Sequence, residues 1–297
     1  MFNFNGFSSY NNAKPTVSYR VNNPIQAADS TRGTMAKINY FMESEEEALR
    51  LDVKTDPTAV AGQAKWAGVC PGIRIADLGC GAGITTRILA DAVSHSGHVC
   101  GFDIATNRIA YAENNYSGDN ISYHLHDIRE PLSGFGEFDL VWIRFVLEYH
   151  HSSFSEIVQN AYDCLKPGGT LCLIDLDYNC LSHFGLSPKL EETLVQLLAH
   201  MESRLDFDPY AGRKLYAALY DMGCTDIEVA MTAHHLIYGS IREPDMFNWT
   251  MKVRAAQSFF ESESSYQEFY DEFVAFFEHP RRFTYTPLIM CRGNKPL

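Results

Sequence analysis

Asp77, Gly79, Gly81 and Gly83 stand at alternate positions within residues 74–84, where an apolar strand pattern (Ile73, Ile75, Ala76, Leu78) gives way to a helical one (Ile84, Ile88, Leu89, Ala92, Val93). Glycines at a strand-to-helix turn accept positive φ and let a ligand touch main chain where a Cβ would clash. The helix that follows presents unpaired N–H groups to the same ligand. Two further carboxylates, Asp103 and Asp127, close the next two apolar runs. Ionised carboxylates beside such a loop accept hydrogen bonds from whatever ligand it holds. A second group, Glu148, His150 and His151, follows the fourth apolar run and supplies carboxylate and imidazole bases for a hydroxyl or amine proton. For Glu148 and one histidine, capping or flanking the next helix is the competing reading.

The elements that must carry these residues follow a regular rhythm. Residues 73–78, 97–103, 121–126, 138–143 and 170–176 read as strands separated by helix-length segments, which predicts a parallel sheet covered on both faces. Ser44, with Glu47 three residues on as a capping box, opens a helix expected to run to about Lys54. Pro57, an Ala/Gly-rich stretch and the turn Pro71-Gly72 then lead into the first strand. The helix after the fourth strand shows Phe154, Ile157, Val158, Ala161 and Tyr162 on one face, and Lys166-Pro167-Gly168-Gly169 breaks it. Beyond Asp177 a helix bearing Leu190, Leu194, Leu197, Leu198 and Met201 intrudes, followed by a helix over about 209–222 and strands at 226–232 and 283–291. Between those strands an insertion at about 241–280 carries Trp249, Phe269, Phe273, Phe276 and Phe277 at helical spacing, read first as packing and second as substrate contact. The expected architecture is an α/β fold with a seven-stranded, mostly parallel sheet and helices on both faces. An arm and helix over residues 1–55 would cover the site, and residues 56–297 would form the main domain with helical caps at about 180–205 and 241–280.

Composition narrows the partners. A net charge of −13 over 297 residues, without a basic cluster, disfavours nucleic acid and better suits a neutral or cationic small molecule. No apolar run approaches the roughly 20 residues of a membrane span, and residues 1–12 lack the features of a secretion signal. The eight cysteines include no C-x-x-C pair and read as reduced, buried thiols, so a cytoplasmic setting is expected. No membrane partner is expected, and an N-terminal arm leaves room for a homo-oligomer. Strand geometry places His234 and His235 on opposite faces, which argues against a metal site.

A dinucleotide loop would read G-x-G-x-x-G, whereas this chain reads D-x-G-x-G-x-G. Taken with Asp103, Asp127, the strand at Phe138-Asp139-Leu140-Val141 and Leu165-Lys166-Pro167-Gly168-Gly169 in that order, residues 73–177 resemble the class I S-adenosylmethionine-dependent methyltransferases. The resemblance implies S-adenosylmethionine as cofactor and an enzyme that moves a methyl group by in-line displacement. It assigns the ribose hydroxyls to Asp103, with Ile104 beside it, and the adenine to Asp127 and Ile128. It also passes Gly79, Cys80 and Gly81 under the methionyl portion, counts Gly83 among the cofactor-binding residues, and gives Asp77 the loop or the amine through water. The backbone carbonyl of Arg144 would hold that amine, while Tyr40 and Arg50 belong to a segment that folds over the cofactor in related enzymes. The lid suggests a small hydrophobic or aromatic acceptor, methylated on oxygen, nitrogen, carbon or sulfur. A nicotinamide-dependent reductase and a non-catalytic S-adenosylmethionine-binding module are the alternatives.

Overall fold

The computed structural model describes residues 47–178 and 182–297, so Tyr40, Ser44 and most of the expected arm lie outside the described residues. The first strands are short apolar runs, as a sheet buried on both faces requires. β1 (Arg74–Leu78), β2 (His98–Asp103), β3 (Ile121–Leu125), β4 (Phe138–Arg144) and β5 (Leu165–Leu176) lie parallel in the order β3-β2-β1-β4-β5. Side-chain alternation divides them between two cores: Ile75, Leu140 and Trp142 share one with Leu89 and Val93, and Leu78, Phe102, Val141 and Ile143 share the other with Ile157 and Val158. Of the helices of this half, α1 (Glu47–Lys54), α2 (Pro57–Trp66), α3 (Ile84–Val93), α4 (Thr106–Asn115) and α5 (Phe154–Asp163), it is α3 and α5 that supply these partners. Because β1 has β2 on one side and β4 on the other, strand order reverses between β1 and β4. A crevice therefore opens at their carboxyl ends, where α/β sheets bind ligands.

The second half departs from this rhythm. The two-residue β6 (His183–Phe184), α6 (Pro188–Arg204), α7 (Leu215–Asp221), β7 (Thr225–Tyr238), α8 (Glu243–Ala255), α9 (Glu263–Glu278) and β8 (Phe283–Asn294) complete the described chain. β8 runs antiparallel to β5, and both β6 and β7 pair with β8, so the sheet has eight strands where seven were expected. β7 continues to Tyr238, beyond the predicted residue 232, because it pairs with β8 along almost its whole length. α2 was read as an approach segment, since its Ala/Gly composition hides a periodic face. Its signals are the Asp56 side chain, which accepts from the N–H groups of Thr58 and Ala59, and Pro57 in the first turn. At the turn into β5, Leu165 pairs with Phe138 and Thr170 with Leu140, and the intervening Lys166-Pro167-Gly168-Gly169 forms an irregularity in the ladder.

α6, α8 and α9 build a third core around Leu194, Leu198, Met201, Trp249, Phe273 and Phe277. Ser187 caps α6 through the Leu190 N–H, and Ser262 and Ser265 form a capping box on α9. α1 is tied from two sides: Asp52 accepts from the hydroxyls of Tyr111 (2.9 Å) and Tyr116 (2.5 Å), and Arg50 donates to Asn248 Oδ1 on α8 (3.0 Å). Among the described residues no helix is long and apolar enough to cross a membrane. Phe277 is fully buried in the lid core, so Phe277→Ala should lower stability by about 3–5 kcal/mol in urea unfolding. A loss below about 1 kcal/mol would mean that the lid core is not close-packed.

Candidate functional site

The glycine loop is stitched to the end of β2. Phe102 O accepts from both Gly79 N (2.8 Å) and Cys80 N (2.9 Å), and Asp103 Oδ2 accepts from Gly81 N (3.0 Å). Gly83 has φ 88°, and a Cβ there would lie 2.7 Å from the Ala112 Cβ, so only glycine lets α3 start this close to α4. The other Asp103 oxygen, Oδ1, accepts from Ala105 N (2.9 Å) and Arg108 Nε (3.0 Å), which holds the carboxylate at the carboxyl end of β2 with 6% exposure. Ile104 is half-buried beside it. At the end of β3, Asp127 accepts from the backbone N–H and guanidinium of Arg129, and Ile128 is buried. Burial works to raise the Asp127 carboxyl, but the Arg129 hydrogen bonds and charge bring it below the usual value.

Asp77 takes the opposite shift. Burial pushes its carboxyl up to about 7, against the pull of the Thr86 hydroxyl (2.6 Å) and the charge of Arg144. Burial likewise lowers Arg144 to about 10, a guanidinium that donates to Gln63 Oε1 (2.9 Å) and lies 4.0 Å from the Phe145 ring centre. Phe145 sits at φ 59°, an unusual conformation for a bulky residue and one that turns the chain sharply at the tip of β4.

The three expected bases are splayed apart. Glu148 is buried in the turn at residues 147–149, where its backbone N–H donates to Asp175 Oδ2 (3.1 Å). Asp175 is fully buried, and desolvation followed by the charge of Glu148 drives its carboxyl well above the usual range. His150 is half-buried and held below the ordinary imidazole value by desolvation and then by Arg129, with Asp127 and Asp103 also acting on it, so it stands toward the acids of β2 and β3. His151 is exposed, with Nδ1 3.4 Å from Asp208 Oδ2.

Several site residues escaped the sequence reading. The rings of His234 and His235 lie 4.2 Å apart rather than on opposite faces, because the β7–β8 register shifts between Ala233 and His235 and breaks the alternation. Burial lowers both imidazoles, His235 to about 3, so both are neutral at pH 7. His234 reaches Phe145 (4.7 Å between ring centres) and His235 reaches Trp249 (5.9 Å). No group of metal ligands occurs among the described residues. Asp175 was hidden because one carboxylate within an apolar strand leaves no periodic signal, and Lys54 and Lys252 because only helix packing brings them near the site.

A cavity of about 790 Å³, open mouth included, lies within the lid between Leu194, Met201, Trp249, Phe259, Phe269 and Phe273. The aromatic stripe therefore packs a core and lines a chamber as well. Arg50 and Tyr149 also line it. The residue after Arg50, Leu51, would contact a Cβ on Gly81 at 3.0 Å, so α1 lies between the chamber and the glycine loop.

Residues 75–169 match the family model described as a methyltransferase domain. The rat mitochondrial ubiquinone biosynthesis O-methyltransferase is 31% identical over 118 residues, 38% of this chain and 33% of that protein. An arsenite methyltransferase of Aquipseudomonas alcaligenes is 29% identical over 115 residues, 35% of this chain and again 33% of that protein. The chain thus spans about a third of the length of these curated relatives. Among solved structures, the Haemonchus contortus phosphoethanolamine N-methyltransferase 2, bound to phosphomonomethylethanolamine and S-adenosylhomocysteine, superposes with a TM-score of 0.55 at 17% identity, covering 89% of this chain and 61% of that one. A cyclopropane-fatty-acyl-phospholipid synthase-like protein of Lactobacillus casei gives 0.53 at 14% identity, covering 86% and 98%. These likenesses establish the fold.

The site's own chemistry fits S-adenosylmethionine. Asp103 and Asp127 offer acceptors at two strand ends, Asp77 offers a carboxylate beside the loop, and Gly83 keeps the main chain clear of side chains where α3 begins. Loop, fold and family model agree over one stretch: residues 75–169 match a methyltransferase domain carried on an α/β sheet.

Proposed function

We propose that the chain transfers a methyl group to a small-molecule acceptor held in the lid cavity. The observation that carries this reading is the meeting of two sites on one helix: α1 places Leu51 against the glycine loop and Arg50 in the wall of the chamber. S-adenosylmethionine, when bound, supplies a methyl group made electrophilic by its sulfonium. The chain's own task is then alignment and exclusion of water. Asp103 would hold the ribose hydroxyls, Asp127 and Ile128 the adenine, and Asp77 with the Arg144 carbonyl the methionyl amine. Ile104 and Cys80 complete the wall beside these groups.

For an acceptor hydroxyl or amine, Glu148 is the base best placed, since it is buried beside Asp175 within the molecule and Tyr149, next to it, lines the chamber. His234, neutral and close to Phe145, is a second imidazole on the same side. His151, exposed and facing Asp208, positions the loop after β4 rather than moving protons. The apolar walls favour an acceptor with a hydrophobic or aromatic body.

Incubation with methyl-labelled S-adenosylmethionine and a panel of small hydroxy-, amino- and thiol-bearing arenes and alkyl compounds should place label in the small-molecule fraction. Label found only in protein or RNA would overturn the acceptor class. Asp103→Ala should weaken S-adenosylhomocysteine binding in calorimetry by about 1–3 kcal/mol, the contribution of hydrogen bonds to a charged group; unchanged affinity would remove Asp103 from the ribose role. Asp77 gives a pH signature. An ammonium favours the ionised carboxylate, so bound Asp77 titrates below its free value of about 7 and binding releases its proton under that pH. Affinity should therefore rise from pH 5.5 to 7, by up to about tenfold per unit, and Asp77→Asn should flatten the rise. An equally steep profile in the variant would exclude Asp77 as its source.

A further inference from the structure

Cations gather where the lid cavity approaches the glycine loop. Arg50 and Lys252 both line the cavity. Lys54 follows Arg50 by one turn of α1, Lys252 follows Asn248 by one turn of α8, and the Arg50–Asn248 hydrogen bond (3.0 Å) joins the two helices at that level. Lys252 Nζ lies 4.7 Å from the Trp249 ring centre and Lys54 Nζ lies 5.8 Å from that of Phe145, so each amine rests against an aromatic ring of the site. Trp249 adds an independent sign. It lines the cavity, is 2% exposed, and its indole N–H finds no acceptor among the described residues. A buried donor in that condition is a standing cost that a ligand oxygen would remove.

Among the described residues, neighbouring acids are engaged elsewhere. Glu47 binds Arg50 through both carboxylate oxygens (2.6 and 2.7 Å), Asp245 accepts from Arg242 (2.7 Å), and burial with the charge of Glu148 favours the protonated form of Asp175. Arg282, also buried and without a hydrogen-bond partner among the described residues, lies 5.6 Å from the Phe277 ring, which is itself 4.9 Å from Trp249. Basic side chains thus gather here beside the buried Glu47 and Glu148, although the chain as a whole is acidic. Desolvation and then the charge of Arg50 hold the Lys54 amine well below its ordinary value, a strain that a bound anion would relieve.

We propose that the acceptor is an amphiphilic anion whose apolar body fills the chamber between α6, α8 and α9, and whose carboxylate or phosphate is held by Lys54, Lys252 and the Trp249 indole N–H. This inference rests on the methyltransferase reading and names its substrate class. It replaces the neutral or cationic molecule that overall charge suggested.

The full chain, saturated with S-adenosylhomocysteine, should be titrated calorimetrically with octanoate, octyl phosphate, 1-octanol and octylammonium. At least one anion should bind about tenfold or more tighter than octanol, with octylammonium weakest, as charge-assisted hydrogen bonds predict. The better of octanoate and octyl phosphate identifies the head group. Lys54→Gln and Lys252→Gln should each cost the anion about fivefold or more while leaving octanol and S-adenosylhomocysteine affinities unchanged, the second also serving as the test of intact folding. Anions that bind no tighter than octanol, no anion binding at all, or folded variants with undiminished anion affinity would each overturn the proposal. Failure of the wild-type chain to bind S-adenosylhomocysteine would instead overturn the methyltransferase reading.

Discussion

The hydrogen bond from Gly81 N–H to the Asp103 carboxylate joins the loop after β1 to the end of β2, at the point where strand order reverses. Much of the site hangs from it. The same carboxylate receives Ala105 N and Arg108 Nε, which fixes the start of α4, and α4 in turn supplies Tyr111 and the following Tyr116 as donors to Asp52 on α1. α1 then reaches the lid through Arg50 and Asn248. A charge-assisted bond in a buried place is strong enough to anchor such a sequence of contacts. The glycine loop and the lid chamber are therefore linked through a few named bonds and not merely adjacent.

Burial does most of the electrostatic tuning. Desolvation raises Asp77 and Asp175 toward their neutral forms and keeps His234 and His235 uncharged, whereas Asp127, less buried and bonded to Arg129, stays an anion. Carboxylates of one chemical type are thereby separated by environment: Asp127 is held low after β3, Asp77 is raised to about 7 under the loop, and Asp175 is driven well above the usual range deep in β5. The net charge of −13 describes the whole chain and says little about this interior, where Arg50, Lys54, Lys252 and Arg144 stand among the buried Glu47, Asp77, Glu148 and Asp175.

Residues 73–177 were legible because their signals are local. Apolar strand runs, glycines forced by φ or close approach, and acids at strand ends each occupy a few consecutive positions, and the structure puts Gly83 at φ 88° and Asp103 at the end of β2 as that reading requires. Local composition also misled. α2 was hidden by its alanines, although Asp56 and Pro57 announce it, and the two histidines of β7 were assigned to opposite faces because a register shift leaves no trace in sequence period. Lys54 and Lys252 were beyond reach for a different reason. Their meeting depends on α1 packing against α8, a contact whose anchoring residues stand 198 positions apart.

This difference in range has a physical consequence. The loop belongs to the sheet, whose two cores enclose β1, β2 and β4, while the chamber belongs to a separate cluster built by α6, α8 and α9. Close-packed cores resist piecemeal change, yet clusters that share few residues can vary independently, since substitutions without common partners contribute nearly additively. The glycine loop can then stay fixed by the geometry of a tight turn while side chains such as Trp249 and Lys252 are exchanged around the chamber. α1 is the element that cannot vary freely, because one face of it touches the loop and the next residue touches the chamber. The wall of the chamber and the neighbour of the glycine loop are thus set by the same eight-residue helix.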